Sequence, residues 1–256
     1  VESAGEWSVF NNSVTCRAVQ ASASDKVVLH GEEGTNDVAV VANNLVHISV
    51  EGTDINDALN KTSVFLQEAT NSTTSTAAIV DCFVGVTQLS EAPTVRAAFN
   101  TSAIVPTLTI VQVGLVPGAT VALQCVASLN ATDVVVSPQL PAPMDEGFAT
   151  PRAVTAGGFV YVDGVPAADI NGTDGLLVLG EVLESAGSSL KEVLMCNTFV
   201  RSLSYVKPYF GSFYLFFNVA NYPPPARAEF TVPNEWPTAE LVLKCIAAVP
   251  ETRSSH

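Results

Sequence analysis

PPPARAEFTVPNEWPTAELVLKCIAAV, residues 223–249, reads as two short strands, 228–232 and 240–248, around a turn at 233–237. Phe230 and Val232 take alternate positions in the first strand, and Leu241, Leu243 and Cys245 in the second, so each strand turns one face to a core. Two such strands joined by a turn rich in Pro and Asn predict a closing hairpin. The three prolines ahead of it fix an extended approach and exclude helix there.

The stretch recurs. Without gaps, 105–128 (VPTLTIVQVGLVPGATVALQCVAS) lies on 225–248, matching Pro117 to Pro237, Leu123 to Leu243, Cys125 to Cys245 and Ala127 to Ala247. A third copy opens the chain, where Glu6-Trp7 matches Glu235-Trp236 and the step from Trp7 to Cys16 equals that from Trp236 to Cys245. A period of roughly 110–120 residues is a domain-sized duplication, not a solenoid repeat. The predicted organisation is therefore an orphan closing hairpin of an upstream unit at 1–20, one domain at 21–130 and a second at 131–256. The Pro-rich 138–146 serves as the linker.

At 256 residues and 48% hydrophobic, the chain has material for two cores. Only 14% of residues are charged, yet the net charge is −14. Such a surface repels phosphate backbones and anionic membranes, so no nucleic-acid partner is expected. The one membrane-like stretch, 103–123, is interrupted by Pro106, Gly114, Pro117 and Gly118 and reads as sheet, so no membrane insertion is expected. The first residue is Val1, which fits a processed chain or a fragment. Asn-x-Ser/Thr sequons begin at Asn11, Asn60, Asn71, Asn100, Asn130 and Asn171. Roughly two or three would arise by chance, so the excess points to a glycosylated protein on the secretory route and an extracellular location.

Within the first domain, strands are expected at 26–30, 37–41 and 45–50. A helix starts at Gly52-Thr53-Asp54 and buries Ile55, Ala58, Leu59, Thr62, Phe65, Leu66 and Ala69. A strand at 77–86 and a helix at 91–99 follow. The second domain repeats this with an opening hairpin turned at Gly157-Gly158, a helix turning Leu176, Leu179, Leu183 and Ala186 inward, a strand at 194–200 and an aromatic helix at 204–217. The order β-β-α-β-α-β-β gives an α+β fold, each unit a mixed sheet with helices on one face.

AGGFVYVDGVP, then LESAGSSLKEVL, PPPAR and LVLKCIAAV, in that order over 149–249, resemble the Rid (YjgF-type) imine deaminase family. The first domain is similar only through its homology to the second. The resemblance implies tandem chorismate-mutase-like domains, sites in clefts between units packed in threes, hydrolysis of amino-acid-derived imines, and no cofactor. It places the family's carboxylate-gripping arginine on Arg227, which would take a carboxylate bidentately. Lys244 stands where the family has an acid, and Thr150 where it has a tyrosine. In the first domain Thr107 and Gln124 hold the arginine and acid positions.

His30, His47 and His256 have no metal-ligand spacing, and no nucleophile elbow, phosphate loop or dinucleotide fingerprint is present. The aromatic run Tyr205, Tyr209, Phe210, Phe213, Tyr214, Phe216 and Phe217 reads as helix core plus a packed face. The cysteines follow the repeat, Cys82 with Cys196 and Cys125 with Cys245. They are either free core thiols or, in an oxidising compartment, the equivalent bonds Cys82–Cys125 and Cys196–Cys245, with Cys16 pairing to an upstream unit. The functional expectation is a secreted, glycosylated, non-catalytic tandem in an extracellular assembly. Its partners would be an upstream fragment of the same precursor or other copies of the chain, nicked and packed as a pseudo-trimer. The alternatives are an imine deaminase or small-carboxylate-binding protein using Arg227, and a ribonuclease, which the charge opposes.

Overall fold

The computed structural model describes residues 27–31, 37–42, 44–71, 77–100, 102–137, 153–217, 223–236 and 238–250. The expected hairpin at 1–20, with Cys16 and Asn11, lies outside these residues, as do Thr150, His256 and the linker. The chain divides into two compact units between Asp133 and Val134.

In the first unit the order is β1 (Val27–His30), β2 (Val38–Ala42), β3 (Leu45–Gly52), α1 (Ile55–Thr70), β4 (Ala78–Val86), α2 (Ala92–Phe99), β5 (Thr107–Gln112) and β6 (Val121–Ser128). The strands form one sheet in the order β1-β2-β3-β6-β4-β5, and only β4 and β5 run parallel. Asp54 starts α1: its backbone is extended, and its carboxylate accepts from the amides of Asn56 and Asp57 at 2.8 and 2.9 Å. The helix buries Ile55, Ala58, Thr62, Phe65 and Leu66 and ends at Asn71 in the left-handed region. Its apolar stripe meets Val50, Val84, Leu123 and Cys125 of the sheet in one core.

The second unit follows the same path. It has β7 (Val135–Val136), β8 (Ala153–Ala156), β9 (Phe159–Val162), β10 (Val165–Ala167), α3 (Thr173–Ser185), β11 (Val193–Val200), α4 (Val206–Phe216), β12 (Ala226–Phe230) and β13 (Leu241–Ala248). The sheet order is β12-β11-β13-β9-β8-β7, with β10 also on β13 and β11–β12 the parallel pair. Strand for strand this is the first sheet, except that the counterpart of β3 is broken into β9 and β10 at Asp163-Gly164. Each unit also carries one more edge strand, β1 or β7, than the β-β-α-β-α-β-β order.

The closing hairpin is a correction. β12 and β13 do not pair with each other; β11 lies between them, parallel to β12 and antiparallel to β13. β5 and β6 flank β4 in the same way. Alternation specifies a strand and its inward face but not its neighbour. Here the neighbour is set by the crossover through α4 or α2, which lays the following strand parallel to the one before the helix. Disulfides join Cys82 to Cys125 and Cys196 to Cys245, with Cα atoms 4.1 Å apart in both. Each links directly opposed residues of the middle and last strands.

Candidate functional site around Arg227

Arg227 is the second residue of β12 and stands opposite Cys196. Neighbours in register share a face, so its side chain turns towards α4. There the guanidinium carbon lies 3.8 Å from the centroid of Phe210, with Phe213 and Tyr214 at 5.0 and 5.1 Å. Nη2 donates to the Tyr214 hydroxyl at 3.0 Å. Two residues along the strand, on the same face, Glu229 brings Oε1 within 3.3 Å of Nε. The oxygen sits off the N–H axis, so this is an ion pair without a directed hydrogen bond. Nη1 is buried with no partner. Both side chains are about one-fifth exposed, Arg227 at 22% and Glu229 at 19%, so the pair is partly desolvated.

Burial holds the Glu229 carboxyl above its ordinary value, with Arg227 pulling the other way. Beneath them Thr198, opposite Glu229, donates to the Tyr209 hydroxyl at 3.1 Å, and both are fully buried. Burial pushes the Tyr209 phenol far up, so it is a fixed neutral group rather than an acid or base. The aromatic run therefore divides. Tyr209, Phe213 and Phe217 are core, while Phe210 and exposed Tyr214 cradle Arg227. A carboxylate reaching Arg227 side-on meets an Nε/Nη2 edge already engaged by Glu229 and Tyr214.

The residues that the resemblance groups with Arg227 are dispersed. Lys244 is buried, but it alternates with Leu243 and Cys245 of the core and so lies on the sheet face away from α4 and Arg227. In the first unit Leu108, 2% exposed, faces Cys82 as Arg227 faces Cys196. The structural counterpart of Arg227 is thus Leu108 and not Thr107. Arg227 precedes Cys245 by 18 positions, whereas Leu108 precedes Cys125 by 17, so the connection gained one residue and a gapless alignment slips there. Thr107 points to the other face, buried, its hydroxyl bonded to Asp81 Oδ1 at 2.5 Å. Gln124 is half-buried.

His47 is half-buried in β3, and no metal-binding group of His, Cys, Asp or Glu occurs among the described residues. Asn60, Asn71, Asn100, Asn130 and Asn171 are all exposed. Glu229 is the group that reading the sequence passed over. Its i, i+2 spacing from Arg227 on a strand was the available signal.

No protein-family model matches the sequence, and no curated protein matches it either. Solved structures do. Yeast Mmf1 is similar at 18% identity over 45% of this chain and 100% of its own, with a TM-score of 0.38. The Rid-family protein YyfA from Yersinia pestis is similar at 19% over 45% and 100%, with a TM-score of 0.39. A chorismatase is similar at 11% over 85% of this chain and 80% of its own, with a TM-score of 0.57, a likeness of fold that runs through both units. The fold is α+β, in two tandem units that follow the chorismatase fold.

Proposed function

We propose that this chain is a secreted, glycosylated, non-catalytic tandem of Rid-fold units that serves as a structural or interaction module of an extracellular assembly. Its partners would be further copies of the chain or another piece of the same precursor. The observation that carries the non-catalytic reading is the self-occupied arginine: Glu229 and Tyr214 take the edge of Arg227 that a substrate carboxylate would need. Leu108 offers no charge at the corresponding place in the first unit. Two disulfides, and the lack among described residues of a helix long and apolar enough to cross a membrane, are compatible with secretion.

The test is hydrolysis of 2-imino acids generated in situ, followed as ammonia release, with wild type and Arg227→Ala. Both are expected to run at the uncatalysed rate. Acceleration by wild type that Arg227→Ala abolishes would overturn the proposal. The unpartnered Nη1 favours a second reading, capture of a small carboxylate. Titration with benzoate addresses it directly: saturable binding by wild type, lost in Arg227→Ala, would establish that function instead.

A further inference from the structure

The sequons are unevenly distributed over the fold. Ser128 ends β6 opposite Leu45 and Ala78, the first residues of β3 and β4. β5 begins at Thr107, opposite Asp81 of β4. One end of the first sheet therefore collects the starts of β3, β4 and β5 and the finish of β6. Asn71 caps α1 where the chain turns back to β4, and Asn100 caps α2 where it turns back to β5. Asn130 follows β6 directly, beside Leu129, whose amide donates to Asn44 O at 2.9 Å. All three belong to this end, and all three are exposed. The connections at the opposite end, 53–54, 87–91 and 113–120, contain no sequon. In the second unit the equivalent end, where β11 and β12 begin, has none either, and it carries Arg227.

In the remaining two described sequons the acceptor Asn is exposed, but the Thr two places on is held by the fold. Asn60 lies within α1, and its Thr62 is 1% exposed with its hydroxyl given to Ala58 O. Asn171 leads into α3, and the Thr173 hydroxyl is bonded to Ser212 of α4 at 3.3 Å. By contrast Ser102 and Thr132, the hydroxyl residues behind Asn100 and Asn130, are exposed. Asn130 Oδ1 accepts from the Thr132 amide and hydroxyl, and its Nδ2 donates to Asp133 at 3.0 Å. A secondary amide keeps one N–H, enough to retain the Asp133 bond after modification.

Resting on the glycoprotein reading above, we propose that Asn71, Asn100 and Asn130 form a glycan-covered pole of the first unit, while the matching pole of the second, which has no sequon, stays free of sugar. Each acceptor Nδ2 attacks the anomeric carbon of an oligosaccharide carried on a lipid diphosphate. The N–C1 bond forms, the C1–O bond to the diphosphate breaks, one amide proton is lost and the lipid diphosphate departs.

The full chain, expressed through a eukaryotic secretory route, is treated with peptide N-glycosidase in ¹⁸O water and each Asn→Asp conversion is quantified by mass spectrometry. Asn71, Asn100 and Asn130 should each carry more glycan than Asn60 or Asn171. A variant lacking those sequons through Thr73→Ala, Ser102→Ala and Asn130→Gln, which spares left-handed Asn71, should lose most of its glycan mass. Glycan confined to Asn60 and Asn171 would overturn the pole and leave the glycoprotein reading intact. A chain bare at every sequon would overturn both.

Discussion

Arg227, where the sequence resemblance places a carboxylate-gripping group, is already paired within its own strand with Glu229. A guanidinium is a strong carboxylate site only while its fork is free; here the chain supplies the carboxylate itself. Because burial outweighs the Arg227 attraction, Glu229 keeps its proton above the ordinary 4.5. The folded state then binds more protons than the unfolded one in the window from there towards neutrality. This contribution to stability is present on the acid side and is lost as pH rises through the window. Glu229→Gln removes the titration, so the thermal midpoint of the variant relative to wild type should climb with pH between 4.5 and 7. A constant difference would show that Glu229 ionises at its ordinary value. A second residue-scale test concerns Gly164, where a Cβ would run into the buried indole of Trp236. Gly164→Ala should destabilise the second unit by about 1–3 kcal/mol, the usual range for overpacking. An unchanged denaturation midpoint together with unchanged Trp emission would mean the indole does not sit there.

At the level of elements, the sequence showed strands and helices well and neighbours poorly. The N-terminus of α1 was legible because Asp54 is a carboxylate at the start of an apolar stripe of helical period. The turn at Gly157-Gly158 was legible because both residues need positive φ, 56° and 80°. The pairing of β12 was not, since a strand's alternation is the same whether its partner is the next strand or an earlier one. The one-residue slip at Leu108 was hidden for a related reason: the matched cysteines and prolines lie mostly beyond the connection that lengthened. The crossovers through α2 and α4 set those neighbours, and the two cross-strand disulfides then tie the middle strand of each unit to its last. They close sequence separations of 43 and 49 residues, worth about 4 kcal/mol each in the chain-entropy account. Cys196→Ala with Cys245→Ala should therefore lower unfolding free energy by roughly that amount, less whatever the cavity adds or relaxes. Native-state hydrogen exchange should place the loss in β11 and β13. Protection unchanged in both strands would rule out a stapling role for the bond.

For the whole molecule the deciding quantity is charge. Arginine and lysine total 11 against 25 aspartates and glutamates, a net of −14. Of the described basic side chains, Lys61 is paired with Asp37, Arg201 with Glu240 and Arg227 with Glu229. Nucleic-acid binding rests on basic groups releasing counterions from phosphates, which makes affinity fall steeply with salt. A chain of this balance has the opposite field, and repulsion is strongest when salt is lowest. The ribonuclease alternative therefore predicts its best performance where this surface opposes it most. Single-stranded RNA mixed with the protein at about 10 mM salt, a Debye length of roughly 30 Å, should show neither a mobility shift nor cleavage. Raising the salt towards physiological strength should change nothing, because screening removes the repulsion without creating a phosphate site. Binding that is tightest at low salt would reveal a basic patch and revive the nucleic-acid reading. Binding or cleavage that appears only as salt rises would instead mark recognition through base stacking or hydrogen bonds, against the long-range field.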